Sequence, residues 1–212
     1  RNGVTDRPGV TDPKGTDLNQ ALLRYTGFAG TELVVGRQRI ERANQRFVGG
    51  VGWRQNEQTF DAAGISHRFS DRLTMSYAWV GQVNRIQGPE EGTPPADLDS
   101  NTHLLDASWS AGPLVNLSAY GYLMDFDNAA SLSSQPFGLR AAGAAEVSPG
   151  WKLGYAIEYA RQADYGDNPV DYDAGYSLVE LGVSTARVGV KAGWEVLEGV
   201  TAPGSAFRPP LA

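Results

Sequence analysis

The stretch WKLGYAIEYARQ, residues 151–162, alternates apolar and polar side chains along its length. One set of alternate positions holds Trp151, Leu153, Tyr155, Ile157 and Tyr159, and the other holds Lys152, Gly154, Ala156, Glu158 and Ala160. Successive side chains of a β-strand point to opposite faces, so the pattern predicts a strand with one apolar and one polar face. The segments 72–82 and 187–196 repeat it.

Working outward from these segments, the same alternation predicts about ten strands and no helix. We place the strands near residues 18–28, 31–40, 58–69, 72–86, 102–111, 114–126, 136–147, 151–163, 174–185 and 187–197. Tight turns alternate in order with long connections, which run over 41–57, 87–101, 127–135 and 164–173. Outer-membrane barrels have short periplasmic turns and long extracellular loops, whereas β-sandwiches mix their loop lengths. The order therefore predicts an antiparallel transmembrane β-barrel.

The composition of the 212 residues agrees with this fold and excludes other classes. There is no Cys, which excludes disulfide frameworks and thiolate zinc clusters. The formal net charge is −6, which argues against nucleic acid as a partner. No segment approaches the roughly 18–20 apolar residues of a spanning helix.

Aromatic side chains on the apolar strand faces support a membrane setting. They are Trp79, Trp109, Trp151, Trp194, Tyr77, Tyr155 and Tyr159. Girdles of Trp and Tyr lie at the lipid headgroups of barrels, although the same residues could fill the core of a β-sandwich. We expect lipid and lipopolysaccharide around the barrel, and a location in the bacterial outer membrane.

Both ends of the chain have the Gly, Pro and Asp character of loops, around residues 1–17 and 203–210. We therefore interpret residues 1–212 as one β-barrel domain that is incomplete at both ends.

Charged residues occupy the polar strand faces. They are Arg24, Asp106, Arg140, Glu146, Lys152, Glu158, Lys191 and Glu195. A charge directed into hydrocarbon at mid-depth costs roughly 2–4 kcal/mol in barrels, so we expect these side chains to line a water-filled lumen.

Several motifs resemble the alginate-export family of outer-membrane channels: GRQRI at 36–40, NQRFVG at 44–49, WRQNEQTFDA at 53–62, VNRI at 83–86, YLMDFDNA at 122–129 and EYARQ at 158–162. The resemblance implies a barrel of about eighteen strands. It also implies passive passage of anionic saccharides, such as alginate-like polyuronates, or of other small solutes. Arg37, Arg39 and Arg54 match its motifs and are implied pore-side cations.

Leu33 and Val35 share alternate positions with Arg37 and Arg39. Because a charge directed into hydrocarbon is costly, we place the arginines inside and expect the two apolar residues to point inward near the periplasmic rim. A bulge could instead change the register there. Lumenal arginines have two interpretations. They could form a ladder that binds carboxylates by paired hydrogen bonds, or they could pair with Glu146, Glu158 and Glu195.

Acidic residues cluster in two predicted loops. They are Glu90, Glu91, Asp97 and Asp99, then Asp164, Asp167, Asp171 and Asp173. Neither set matches the EF-hand pattern, so we expect solvated loops that face lipopolysaccharide, with occasional Ca²⁺ as the alternative. No other cofactor or metal is predicted.

Two other functions remain as alternatives to a channel. An outer-membrane hydrolase would need a catalytic set around His67 or His103, but no G-x-S-x-G or H-E-x-x-H motif is present. Neighbouring strand residues also point to opposite faces, so we predict no enzyme activity. A glycan-binding β-sandwich or adhesin is the other alternative.

Overall fold

The computed structural model describes residues 16–88, 95–199 and 206–212. Its strands are β1 Ala21–Tyr25, β2 Thr31–Gln38, β3 Thr59–Arg68, β4 Leu73–Asn84, β5 Asp97–Ser110, β6 Asn116–Leu123, β7 Ser134–Ser148, β8 Trp151–Asp164, β9 Asp173–Ser184 and β10 Gly189–Leu197. All ten predicted strands are confirmed. A short 3-10 helix, Asp127–Leu132, occupies part of a predicted loop. Within the described residues, no helix is long and apolar enough to cross a membrane.

The strands form one antiparallel sheet in chain order, from β1 to β10. A β-sandwich would divide them between two packed sheets, so this single sheet does not match the sandwich alternative. Short turns join β1 to β2, β3 to β4, β5 to β6, β7 to β8 and β9 to β10, and longer segments make the other connections. The tight turns use glycine where the backbone requires a positive φ, as at Gly112 (φ +90°) and Gly150 (φ +77°).

A bulge in β4 changes the alternation. Ala62 pairs with Val80 but Asp61 pairs with Gln82, so Gly81 is an extra residue. Val80 and Val83 are therefore both buried on one face, although they are three residues apart. Gln82 lies on the opposite face from the one that simple alternation predicts.

Residues 41–57, within the β2–β3 connection, lie across one face of the sheet, and we call them the strap. The ring centroid of Phe47 in the strap lies 5.2 Å from that of Tyr120 on β6 and 5.8 Å from that of Tyr176 on β9. In a flat sheet these two strands would be about 14 Å apart, so the sheet curves toward Phe47. We call the face that it contacts the inner face.

The buried core of the described residues lies between the inner face and the strap. It includes Phe60, Leu104 and Tyr122 from the strands and Val48 from the strap. The C-terminal residues 206–212 complete it, because Leu211 pairs with Val48 in a parallel bridge.

The outer face is apolar and exposed. Its large exposed side chains include Ile65, Leu105, Leu139, Ile157, Leu181 and Val190, together with Trp79, Trp109, Trp151 and Trp194. The sheet therefore turns an apolar surface outward and packs its inner surface against its own connections.

Candidate functional site: the charged inner face

The strand register brings the charged residues of the polar positions to the inner face. Arg140 pairs with Glu158, which in turn pairs with the buried Leu178. On β10, Glu195 also pairs with Leu178. The other inner-face charges of the strands are Arg24, Glu32, Arg68, Asp106, Glu146, Lys152, Asp164, Glu180 and Lys191. Their role as pore lining stays a prediction.

Most of the inner-face cations lie beside an acid. Arg24 Nη1 lies 3.0 Å from Glu32 Oε2, and Lys191 Nζ lies 2.6 Å from Glu180 Oε1. Arg140 Nη1 lies 2.6 Å from an oxygen of Glu158, whose side chain is buried. Of the two interpretations of the lumenal arginines, this geometry matches the ion-pair one for Arg140.

Three of the inner-face acids each accept a hydrogen bond from a tyrosine. The Tyr122 hydroxyl donates to Asp106 Oδ1 at 2.7 Å. Tyr120 donates to Glu158 Oε1 at 2.8 Å, and Tyr176 donates to Glu195 Oε1 at 2.8 Å. We call Asp106, Glu158 and Glu195 the acid row.

Side chains of the strap reach all three members of the acid row. Arg42 Nε lies 3.1 Å from Asp106 Oδ2, and Asn44 Nδ2 donates to Glu158 at 3.3 Å. Arg46 forms an ion pair with Glu195. Sequence reasoning missed Arg42 and Arg46, and the only available signal was their alternate spacing in a segment that reads as a loop.

Arg37 differs from its predicted inward position. It pairs with Asp61 in a register that continues without a break through Val35 and Leu33, so all three lie on the outer face. Val35 is 55% exposed there. Arg37 Nε donates to Asp61 Oδ1 at 2.7 Å near the end of β2. The inward placement assumed that an outward Arg37 would enter hydrocarbon. That assumption was wrong because Arg37 lies beyond the apolar stretch of its strand and beside a carboxylate.

Arg39 and Arg54 lie outside the strands. Arg39 Nε donates to Glu57 Oε2 at 2.5 Å, and this hydrogen bond lowers the pKa of Glu57. The guanidinium of Arg54 stacks on Trp53, 4.1 Å from the ring centroid. The structure therefore does not bring Arg37, Arg39 and Arg54 together on the inner face.

Two further arginines, Arg85 and Arg208, lie at the end of the sheet that carries the long connections. Burial, and secondarily the positive charge of Arg208, lowers the pKa of Arg85. The Arg208 backbone exchanges hydrogen bonds with the side chain of Gln162, which is buried on the inner face of β8. Sequence reasoning missed this pair because 123 residues of chain separate its members.

The predicted loop acids are dispersed among other partners. Asp173 binds Arg161 Nε at 2.5 Å, and Asp97, now part of β5, accepts from Gln82 Nε2. Glu90 and Glu91 lie outside the described residues. In the part of the chain that the structure describes, no three His, Asp or Glu side chains are grouped closely enough to hold a metal ion. Calcium binding stays a prediction.

Both histidines lie on the outer face with hydroxyl partners. His67 Nδ1 lies 2.7 Å from Thr31 Oγ1, and His103 Nδ1 lies 2.7 Å from the Tyr77 hydroxyl. Alternation turns Ser66, next to His67, and Asp106, near His103 in sequence, to the inner face, away from both histidines.

An antiparallel sheet in chain order, with an apolar outer face and a charged inner face, is the wall of a bacterial outer-membrane β-barrel. The family model of alginate export matches residues 2–196. This chain therefore belongs to the alginate export family, in agreement with the resemblance of its motifs. Its location is the bacterial outer membrane. No curated protein matches the sequence.

Solved outer-membrane proteins share the fold. OccAB4 of Acinetobacter baumannii superposes with a TM-score of 0.68 at 16% identity, covering 82% of this chain and 43% of that chain. OccD3 (OpdP) of Pseudomonas aeruginosa gives 0.69 at 15% identity, covering 84% and 43%. OccK2 (OpdF) of P. aeruginosa, solved in complex with glucuronate, gives 0.63 at 14% identity, covering 79% and 47%. This chain spans less than half the length of these proteins.

Proposed function

We propose that the full-length protein is a passive outer-membrane channel for anionic saccharides, such as alginate-like polyuronates, or for other small solutes. The observation that carries the proposal is the contrast between the two faces of the sheet. The outer face exposes residues such as Ile157 and Val190, while Arg140, Glu158 and Glu195 lie on the inner face. Charges at mid-depth cost about 2–4 kcal/mol in lipid, so the inner face suits a water-filled lumen.

The arginine pair Arg85 and Arg208 supports an anionic solute. Burial, and secondarily the charge of Arg208, lowers the pKa of Arg85, and an anion that approached both guanidinium groups would offset these unfavourable effects. The guanidinium fork also binds carboxylates through paired hydrogen bonds. The OccK2 structure holds glucuronate, a uronate monomer of the chemical class we propose here.

The outer face suits two further proposed partners, the membrane lipid and lipopolysaccharide. Its exposed apolar side chains suit contact with lipid acyl chains. Beyond them Arg161 and Asp173, both exposed, lie at the end of the sheet where we expect lipopolysaccharide headgroups.

The test compares solutes in vesicles that contain the full-length protein. We expect glucuronate to enter several-fold faster than glucose, a neutral sugar of similar size, when the external salt is low. The double variant Arg85→Gln/Arg208→Gln should remove this preference while glucose entry continues. Arg161→Gln, which removes a cation from the outer face, is the matched control.

Uptake no faster than in protein-free vesicles would contradict the channel itself. Equal entry of the two solutes in the wild-type protein would contradict only the preference for anionic saccharides.

A further inference from the structure

Each member of the acid row contacts one side chain of the strap, and the charge of that side chain depends on whether the strands already supply a cation. The wall already supplies a cation to Glu158, since Arg140 lies 2.6 Å away, and there the strap offers the neutral Asn44. Among the described residues, the ion pairs of Asp106 and Glu195 come from the strap, through Arg42 and Arg46. The strap therefore brings a cation to the two acids that the strands leave without one.

Aromatic packing holds the strap in this position. The Phe47 ring contacts Tyr120, Tyr122, Tyr176 and Phe207, with centroids 5.2 to 6.4 Å apart. Three of these rings are the inner-face tyrosines, and each of them donates a hydrogen bond to one member of the acid row.

The backbone of the strap is held in an uncommon conformation between its polar contacts. Ala43 has φ +47° and Gln45 has φ +59°, the left-handed region that residues other than glycine rarely adopt. These two residues alternate with Arg42, Asn44 and Arg46. Such conformations persist where the surroundings over-determine them, which indicates a specific docked state.

We propose that the docked strap shifts the ion selectivity of the channel away from cations. With Arg42 and Arg46 in place, the charges of Asp106 and Glu195 are cancelled. Without those cations the two acids present uncompensated negative charge to the lumen. Fixed charge beside a narrow pore concentrates its counter-ions and excludes ions of its own sign, so the channel would then favour cations. This inference rests on the proposed channel function.

The decisive measurement is the reversal potential of the full-length protein in planar bilayers under a tenfold gradient of dilute KCl. The variant Arg42→Gln/Arg46→Gln should raise the permeability ratio of K⁺ to Cl⁻ several-fold. Asp106→Asn/Glu195→Gln should lower it, because it leaves the two arginines uncompensated. A purely structural loosening of the strap would not move the ratio in opposite directions.

Two controls isolate the effect of charge. Asn44→Ser changes the strap contact that carries no charge, and Arg161→Gln removes a cation from the outer face. Neither should move the reversal potential. The combined variant, with all four charges of the two ion pairs neutralised, should return the ratio to near its wild-type value.

If Arg42→Gln/Arg46→Gln fails to insert into the membrane, the test rests on Asp106→Asn/Glu195→Gln, which should lower the permeability ratio of K⁺ to Cl⁻. An unchanged reversal potential in an inserted variant, or shifts in the same direction for the two pairs, would overturn the inference. Absence of any conductance in the wild-type protein would instead overturn the proposed function.

Discussion

Ile157 shows how a single side chain reports the orientation of the sheet. It pairs with Ala141 on β7 and Val179 on β9, and all three lie on the outer face. Its side chain is 51% exposed, although a soluble protein would gain by burying it. Two outer-face residues, Leu153 and Tyr155, separate it from Trp151 at the start of β8, and Tyr159 follows it, so it lies well inside the apolar band.

At this scale we predict that Ile157→Arg destabilises the full-length protein in lipid by about 2–4 kcal/mol, because the guanidinium would enter hydrocarbon with no nearby acid. The measurement is a urea titration of folding into vesicles. Lys152→Gln, on the exposed part of the inner face, is the control and should change stability by less than about 0.5 kcal/mol. Wild-type stability in Ile157→Arg would mean that this face does not contact lipid.

The β7–β8 hairpin depends on one glycine in its turn. Its turn reverses the chain between Ser148 and Trp151, and Gly150 adopts φ +77° with no atom within 4 Å of where a Cβ would lie. The requirement for glycine is therefore conformational. Gly154, three residues into the strand, has its nearest neighbour at 3.7 Å and an ordinary backbone conformation.

For this element we predict that Gly150→Ala costs about 1 kcal/mol, since alanine is disfavoured at positive φ. Gly154→Ala should be neutral or slightly stabilising, because a side chain fits there and strand glycines are entropically costly. Both are measured as shifts of the unfolding midpoint in detergent or vesicles. Equal effects of the two substitutions would contradict the turn geometry.

The bulge at Gly81 shows how one residue repositions the end of an element. It places Val83 opposite Phe60 and Leu98 in the buried core, and it leaves Gln82 beside Asp61 on the outer face. Without the extra residue the alternation of β4 would turn Val83 outward.

At the scale of the whole molecule, the inner face mixes charges of both signs. Close pairs such as Arg140 and Glu158 cancel locally, whereas the Arg85 and Arg208 pair contributes a longer-range field. Salt screens these two kinds of charge differently. The Debye length is about 10 Å at 0.1 M and about 3 Å at 1 M, so only the longer-range field weakens strongly.

We therefore predict that the preference of the full-length protein for glucuronate over glucose declines steeply between 0.1 M and 1 M salt, as the Debye length falls from about 10 to 3 Å. Uptake of each solute into vesicles at several KCl concentrations measures this. Glucose entry, which involves no charge, should stay constant. A preference that persists undiminished at high salt would indicate short-range binding contacts in place of the electrostatic field.

The sequence by itself determined the strands and their two faces. Side chains alternate with the pleat of a strand, so Lys152 and Leu153 are assigned to opposite faces by position alone. The tight turns were equally local, because Gly112 and Gly150 satisfy a backbone requirement within a few residues. Family membership also followed from short motifs along the chain.

The tertiary structure decided which charged residues meet. Arg42 and Asp106 are separated by 64 residues and Arg46 and Glu195 by 149, and the strap joins them only because the sheet curves toward it. Arg37 was misplaced because its depth along the strand, and the carboxylate of Asp61 beside it, cannot be read from alternation. Local pattern fixes the face of a residue, whereas its depth and its partner depend on contacts between distant segments of the chain.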